Sequence, residues 1–253
     1  MRMWEIKQSA TAPKTVDIYI YSAIEGDSYD WWTGETIKSE TSANAFKEKL
    51  ESIGEFDNIN LYINSLGGSV LEGVAIYNQL KRTNAYITAY IDGFACSIAS
   101  VIAMAADKVV MPKNTVMMIH NAWTRATGNA SQLRKTADDL DKMNEAGKNA
   151  YLEKSGGKID SEKLTELMDA ETYLTADECI AYGFADEYAD YNTDIEKAKA
   201  MLKEAEDSGM KNYASRLEKI CAMADVSQLD NKPKAEFKEK AIEMFSGFLN
   251  IRK

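Results

Sequence analysis

Short β-rich runs recur along the first half of the chain, and helical patterns separate most of them. Val16–Tyr21, Ile59–Asn64, Tyr86–Ile91, Lys108–Met111 and Val116–Ile119 each read as a strand, being rich in Val, Ile, Tyr and Met. Between them, Thr41–Ile53 places Ala43, Phe46, Leu50 and Ile53 at helical spacing, with Thr41 or Ser42 as the N-cap. A second helix runs through Leu71, Ala75, Ile76 and Leu80, and a third, of small residues, over Ser97–Ala105. Strands that alternate with helices must lie mostly parallel, because each crossover returns the chain to the same end of the sheet. The pattern therefore predicts an α/β protein with a largely parallel core.

The remainder is predicted to dress that core. Gly26–Thr36 reads as a loop carrying Trp31 and Trp32. A long amphipathic helix is expected over Ser131–Lys154, with Leu133, Ala137, Leu140 and Met143 on its apolar side. A short helix follows over Ser161–Met168, and another over 176–182, stopped by Gly183. Residues 1–15 read as a flexible leader and 16–189 as one domain. Residues 190–253 are rich in Lys, Glu and Ala and read as a helical appendage with a break at Asn231-Lys232-Pro233. Hydrophobic residues make up 45%, enough for a sizeable core. A net charge of -10 argues against nucleic acid or an anionic membrane surface as partner, since both reward a basic face. Cys96, Cys179 and Cys221 are odd in number and widely spaced, which fits a reducing cytoplasm and no disulfide framework or zinc site. No run approaches the roughly 18 apolar residues that suggest a membrane span.

The chemistry gathers where strands end. Serine is a poor nucleophile until a base takes its proton. Ser97, in Gly93-Phe94-Ala95-Cys96-Ser97-Ile98-Ala99-Ser100, is placed at a strand-to-helix junction, where unpaired N–H groups favour developing negative charge. Ser100, one turn further, reads as a packing residue. The single histidine, His120, closes the run Val116–Ile119, and a neutral imidazole suits proton transfer from a serine and on to a leaving amine. Asp169 and Glu171, just before Tyr173-Leu174, are the candidates for a carboxylate that orients the imidazole. Gly67-Gly68 joins a strand to a helix and offers bare backbone N–H groups to an oxyanion. The lysine of a phosphate-binding loop does not follow this pair, so a nucleotide site is not expected there.

Four blocks taken together, Tyr62–Gly68, Gly93–Ser100, Met117–Asn121 and Leu174–Asp186, resemble the proteolytic subunit of Clp protease. They occur in the family's order with similar spacing, over about residues 16 to 189. The resemblance implies the spiral of βαβ units shared with the crotonases, with Ser131–Lys154 as a protruding handle helix. It implies a serine endopeptidase without metal or organic cofactor, whose nucleophile is Ser97 and whose base is His120. The family's triad aspartate falls at Glu171, with Asp169 as the alternative. Gly68 and Ile98, with Gly67 beside them, match the oxyanion hole. Peptide substrate would add as a strand between Ser69-Val70 and the segment of Asn121, Trp123, Thr124 and Arg125. Leu66 stands where the family usually has proline. The resemblance also implies a homo-oligomeric ring, a heptamer or paired heptamers. The Trp31-Trp32 loop and the run Met168–Thr172 look most like the phage and prophage branch, associated with head maturation, so capsid or portal proteins are expected partners. The competing readings are a non-catalytic capsid scaffold on the same fold, a housekeeping Clp subunit served by an ATP-driven unfoldase, and an acyl-CoA enzyme of the crotonase type.

Overall fold

The computed structural model describes residues 4–189. Strands β1 (Trp4–Gln8), β2 (Thr15–Ile20), β5 (Asn58–Ser65), β6 (Tyr86–Cys96), β7 (Lys108–Met111) and β10 (Glu187–Tyr188) form a sheet in the order β1-β2-β5-β6-β7-β10. Two further strands, β8 (Val116–Ile119) and β9 (Thr172–Thr175), branch from it, β8 on β6 and β9 on β8. A separate two-stranded hairpin, β3 (Ser28–Asp30) and β4 (Glu35–Ile37), carries Trp31 and Trp32 at its tip, both largely exposed. The pairs β2–β5, β5–β6, β6–β7 and β6–β8 are parallel, whereas β1–β2 and β8–β9 are antiparallel.

The helices are α1 (Ala43–Ile53), α2 (Val70–Lys81), α3 (Ile98–Ala103), α4 (Ala130–Ser155), α5 (Ser161–Asp169) and α6 (Ala176–Tyr182). All but α3 start on a capping side chain: Ser42 accepts from Ala45 N, Ser69 from Glu72 N and Asp160 from Lys163 N, and Asn129 and Thr175 each close a reciprocal capping box. Gly183 ends α6 in the left-handed conformation. The core buries Ile18, Ile20, Leu61, Ile63, Ala89 and Ile91 of the sheet with Phe46 of α1 and Ile76 and Leu80 of α2. In the long helix α4, only Ala150, Tyr151 and Ser155 are buried, and Leu133 is 43% exposed. Its apolar stripe therefore joins the core only near its C-terminal end.

Three features differ from the sequence reading. The stretch read as a flexible leader supplies β1, which pairs with β2 from Trp4↔Ile20 to Gln8↔Val16. The third strand does not stop at Ile91. It continues through Gly93 to Cys96 and changes partner on the way, from β7 at Thr88–Tyr90 to β8 at Phe94–Cys96. Gly93 lies inside this strand; a Cβ there would lie 2.5 Å from Asn64 Oδ1, the atom that accepts from Phe94 N across the irregular register of β5 and β6. Thirdly, Ser69-Val70 is not free strand edge, since Ser69 caps α2 and Val70 begins it. The expected helical appendage at 190–253 lies outside the described residues.

Candidate active site

Strand register brings the candidate residues together. Phe94, Ala95 and Cys96 pair with Val116, Met117 and Met118, so Ser97 and His120 both emerge at the same end of two parallel neighbours. Ser97 N donates to Met118 O at 2.8 Å and anchors that corner. The Ser97 hydroxyl and His120 Nε2 lie 2.7 Å apart, and His120 is buried. Ser97 is the N-cap of α3 rather than a residue of its first turn, at φ 55° and ψ -131° with no side-chain cap bond. The bend leaves the hydroxyl available to the imidazole instead of spending it on the helix.

The two candidate carboxylates stand differently with respect to the antiparallel partner strand. Met118 pairs with Tyr173 and Ile119 with Thr172, and His120 and Glu171 are the residues that follow this last pair. Glu171 has φ 49°, one of three described non-glycine residues in the left-handed region, with Ser97 and Lys14. Two of the three strained positions therefore fall at this site, where such strain tends to concentrate. Asp169, at the end of α5, is engaged elsewhere, accepting from Asn121 Nδ2 at 2.7 Å.

The two glycines play different parts. Gly67 N donates to Ser65 Oγ at 3.1 Å and Gly67 O accepts from Ile24 N at 2.9 Å, so its N–H is already committed and does not fit the expected oxyanion donor. Gly68 forms a parallel bridge with Ile24, made by Gly67 O and Ser69 N. In that geometry Gly68's own N–H points away from Ile24. Both glycines are sterically required. A Cβ on Gly67 would sit 2.7 Å from Cys96 O and 2.8 Å from Ser97 Cβ, and one on Gly68 would collide with Ile24 O. Their φ values, 92° and 146°, also suit glycine. Ile98 begins α3, so its N–H has no acceptor within the helix. Leu66 packs with the small apolar cluster of Phe94, Cys96, Val116 and Met118.

A cavity of about 30 Å³ adjoins the pair, lined by Val70, Ile98, Val101, Met143, Gly147 and Met168 among others. Asn121 is half-buried, and Trp123, Thr124 and Arg125 are exposed in a segment without regular structure. Ala122 N in that segment donates to Asn144 Oδ1 at 2.7 Å. Ser65, Asn144 and Tyr151 are site-supporting residues that the sequence reading did not single out. For α4 the signal was present: Met143, Gly147 and Tyr151 repeat every fourth residue, a stripe that turns one face of the helix toward Ser97. Ser100 packs as expected, fully buried.

Comparison with known proteins identifies the family. The family model for Clp protease matches residues 31–192. The ATP-dependent Clp protease proteolytic subunit of Ligilactobacillus salivarius is 30% identical over 187 residues, covering 72% of this chain and 91% of its own length. Its counterpart in Bacteroides fragilis is 30% identical over 64% of this chain and 75% of its own length. That of Deinococcus radiodurans is 27% identical over 73% and 90%. The fold and the Ser–His pair define a ClpP-like serine peptidase framework. The chain belongs to the Clp protease family.

Proposed function

We propose that the protein is a serine endopeptidase in which Ser97 is the nucleophile, His120 the general base and acid, and Glu171 the group that orients the imidazole. The observation that carries this reading is the 2.7 Å contact between the Ser97 hydroxyl and His120 Nε2. His120 Nε2 takes the hydroxyl proton as Ser97 Oγ bonds to the scissile carbonyl carbon. The carbonyl π electrons move to its oxygen, where the N–H groups of Gly68 and Ile98 receive the negative charge. Collapse of the tetrahedral species breaks the C–N bond, and the imidazolium passes its proton to the departing amine. Water then repeats the sequence on the acyl ester, releases the acid and restores Ser97. Acyl transfer to serine consumes no nucleotide, so hydrolysis itself is ATP-independent in this chain. The cavity beside Val70, Val101 and Met143 suits a small apolar substrate side chain, and the exposed residues Trp123, Thr124 and Arg125 lie in the segment that follows His120, where a polypeptide would run.

A fluorophosphonate probe tests the reading. Labelling that maps to Ser97 and is lost in Ser97→Ala and His120→Ala is expected; unlabelled wild-type protein that also leaves casein intact would overturn it.

The finer assignment is a cytoplasmic homo-oligomeric ring that trims phage or prophage capsid or scaffold protein during head maturation. Its support is the resemblance of the Trp31-Trp32 segment and of Met168–Thr172 to that branch, together with the placement of Trp31 and Trp32 on a hairpin outside the main sheet. The relatives named above are described as ATP-dependent subunits, so the housekeeping reading is the direct rival. Co-expression with capsid protein separates them: cleavage without any unfoldase supports the first, and cleavage only with one supports the second.

A further inference from the structure

We infer that Tyr151 is a positioning residue for the nucleophile, acting through Ser100 to hold the strained backbone of Ser97. The inference rests on Ser97 being the attacking hydroxyl. A serine at φ 55° adopts a conformation that L-residues avoid, so the surroundings must fix it. The Ser97 carbonyl is gripped twice, by Ser100 N at 3.0 Å and by Ser100 Oγ at 2.5 Å. Ser100 Oγ also lies 3.3 Å from Met118 O and 2.6 Å from Tyr151 OH. A hydroxyl has one proton to give. The short contact to Ser97 O claims the Ser100 proton, so Tyr151 OH is the donor to Ser100 Oγ. The result is a directed chain, Tyr151 O–H to Ser100 O–H to Ser97 C=O, in which each bond polarises the next. Burial pushes the Tyr151 phenol well above its ordinary value, so it keeps the proton this chain needs. The phenol belongs to α4, otherwise held to the core mainly near its C-terminal end, and its ring packs against Phe184 with centroids 5.3 Å apart. The Tyr151 hydroxyl thus links the long helix to the backbone of Ser97 through Ser100.

The bland alternative is a core tyrosine whose hydroxyl is merely satisfied. The two diverge in kinetics. Tyr151→Phe keeps the ring and removes the donor, and Ser100→Ala removes the grip on Ser97 O. A positioning role predicts that each lowers kcat and the rate of fluorophosphonate labelling about tenfold with KM little changed. The double variant is then no slower than Ser100→Ala, because the two residues form one chain. Ser100→Thr, which retains the hydroxyl, restores part of the rate. Folded Tyr151→Phe with wild-type kcat and labelling rate, changed only in melting temperature, would overturn the inference. Should Tyr151→Phe fail to fold, the Ser100→Ala and Ser100→Thr pair decides it by the same criterion. Absence of labelling in the unaltered protein would instead sink the nucleophile assignment, and this inference with it.

Discussion

His120 and Glu171 each lie one step beyond the pair Ile119↔Thr172, the outermost of the antiparallel pairs between β8 and β9. Asp169, two positions earlier, instead accepts a hydrogen bond from Asn121. The two carboxylates should therefore separate in kinetics. Glu171→Gln is expected to lower kcat about 100-fold or more, since it leaves the imidazole without a charge to stabilise its protonated form. Asp169→Asn keeps an oxygen for Asn121 and is expected to stay within about threefold of wild type. Peptide hydrolysis by the two purified variants checks this, and the reverse ranking would reassign the acid.

Strain at the nucleophile has a measurable cost. Ser97→Ala and Ser97→Gly both lose the hydroxyl, so both should be inactive. They differ in backbone freedom at φ 55°. Glycine accepts that conformation while alanine resists it, so Ser97→Gly should be the more stable by about 1 kcal/mol. Denaturant midpoints of the two variants measure the difference, and equal midpoints would mean that the corner relaxes when the hydroxyl is removed.

The core elements were readable because their periodicity is local. Ile59–Asn64 and the stripe of Ala43, Phe46, Leu50 and Ile53 announce a strand and a helix within a few residues. The continuation of β6 through Gly93 was not readable. Glycine there serves a close approach to Asn64, some thirty positions away in sequence, and no local pattern distinguishes that from a turn. β1 escaped because it is a short edge strand, defined by its pairing with β2. At the site, Ser97 and His120 could be named because a base is scarce in this chain. Choosing between Glu171 and Asp169 needs their placement relative to His120, which no local pattern in the sequence carries. Gly67 looked like a donor because a Gly-Gly turn does not reveal that Ser65 Oγ has claimed its N–H.

The Gly67–Gly68 corner is predicted to tolerate no side chain. A Cβ at position 68 meets Ile24 O, and the backbone there cannot move without breaking the bonds Ile24 N to Gly67 O and Ser69 N to Ile24 O. Gly68→Ala should lose about 1–3 kcal/mol of stability by overpacking. The surviving folded fraction should label slowly, because the displaced N–H no longer faces the carbonyl oxygen. Thermal melts combined with labelling rates test both parts, and a stable, fully reactive Gly68→Ala would remove that N–H from the mechanism.

Alkaline stability offers a test of the buried hydroxyl and thiol behind the site. Burial raises both the Tyr151 phenol and the Cys179 thiol above their ordinary values. Each group therefore keeps its proton in the folded chain at a pH where the unfolded chain has released it. Unfolding then releases protons, so stability falls as pH rises. The stabilising effect is complete below the unfolded-state values, about 8.5 for cysteine and about 10 for tyrosine, and is lost progressively above them. Tyr151 alone should contribute a slope of about 1.4 kcal/mol per pH unit above roughly pH 10. Tyr151→Phe should flatten the alkaline limb by that amount while leaving the Cys179 contribution in place. Urea midpoints measured between pH 8 and pH 11 check it, and parallel curves for wild type and Tyr151→Phe would show that the phenol is not held protonated by the fold.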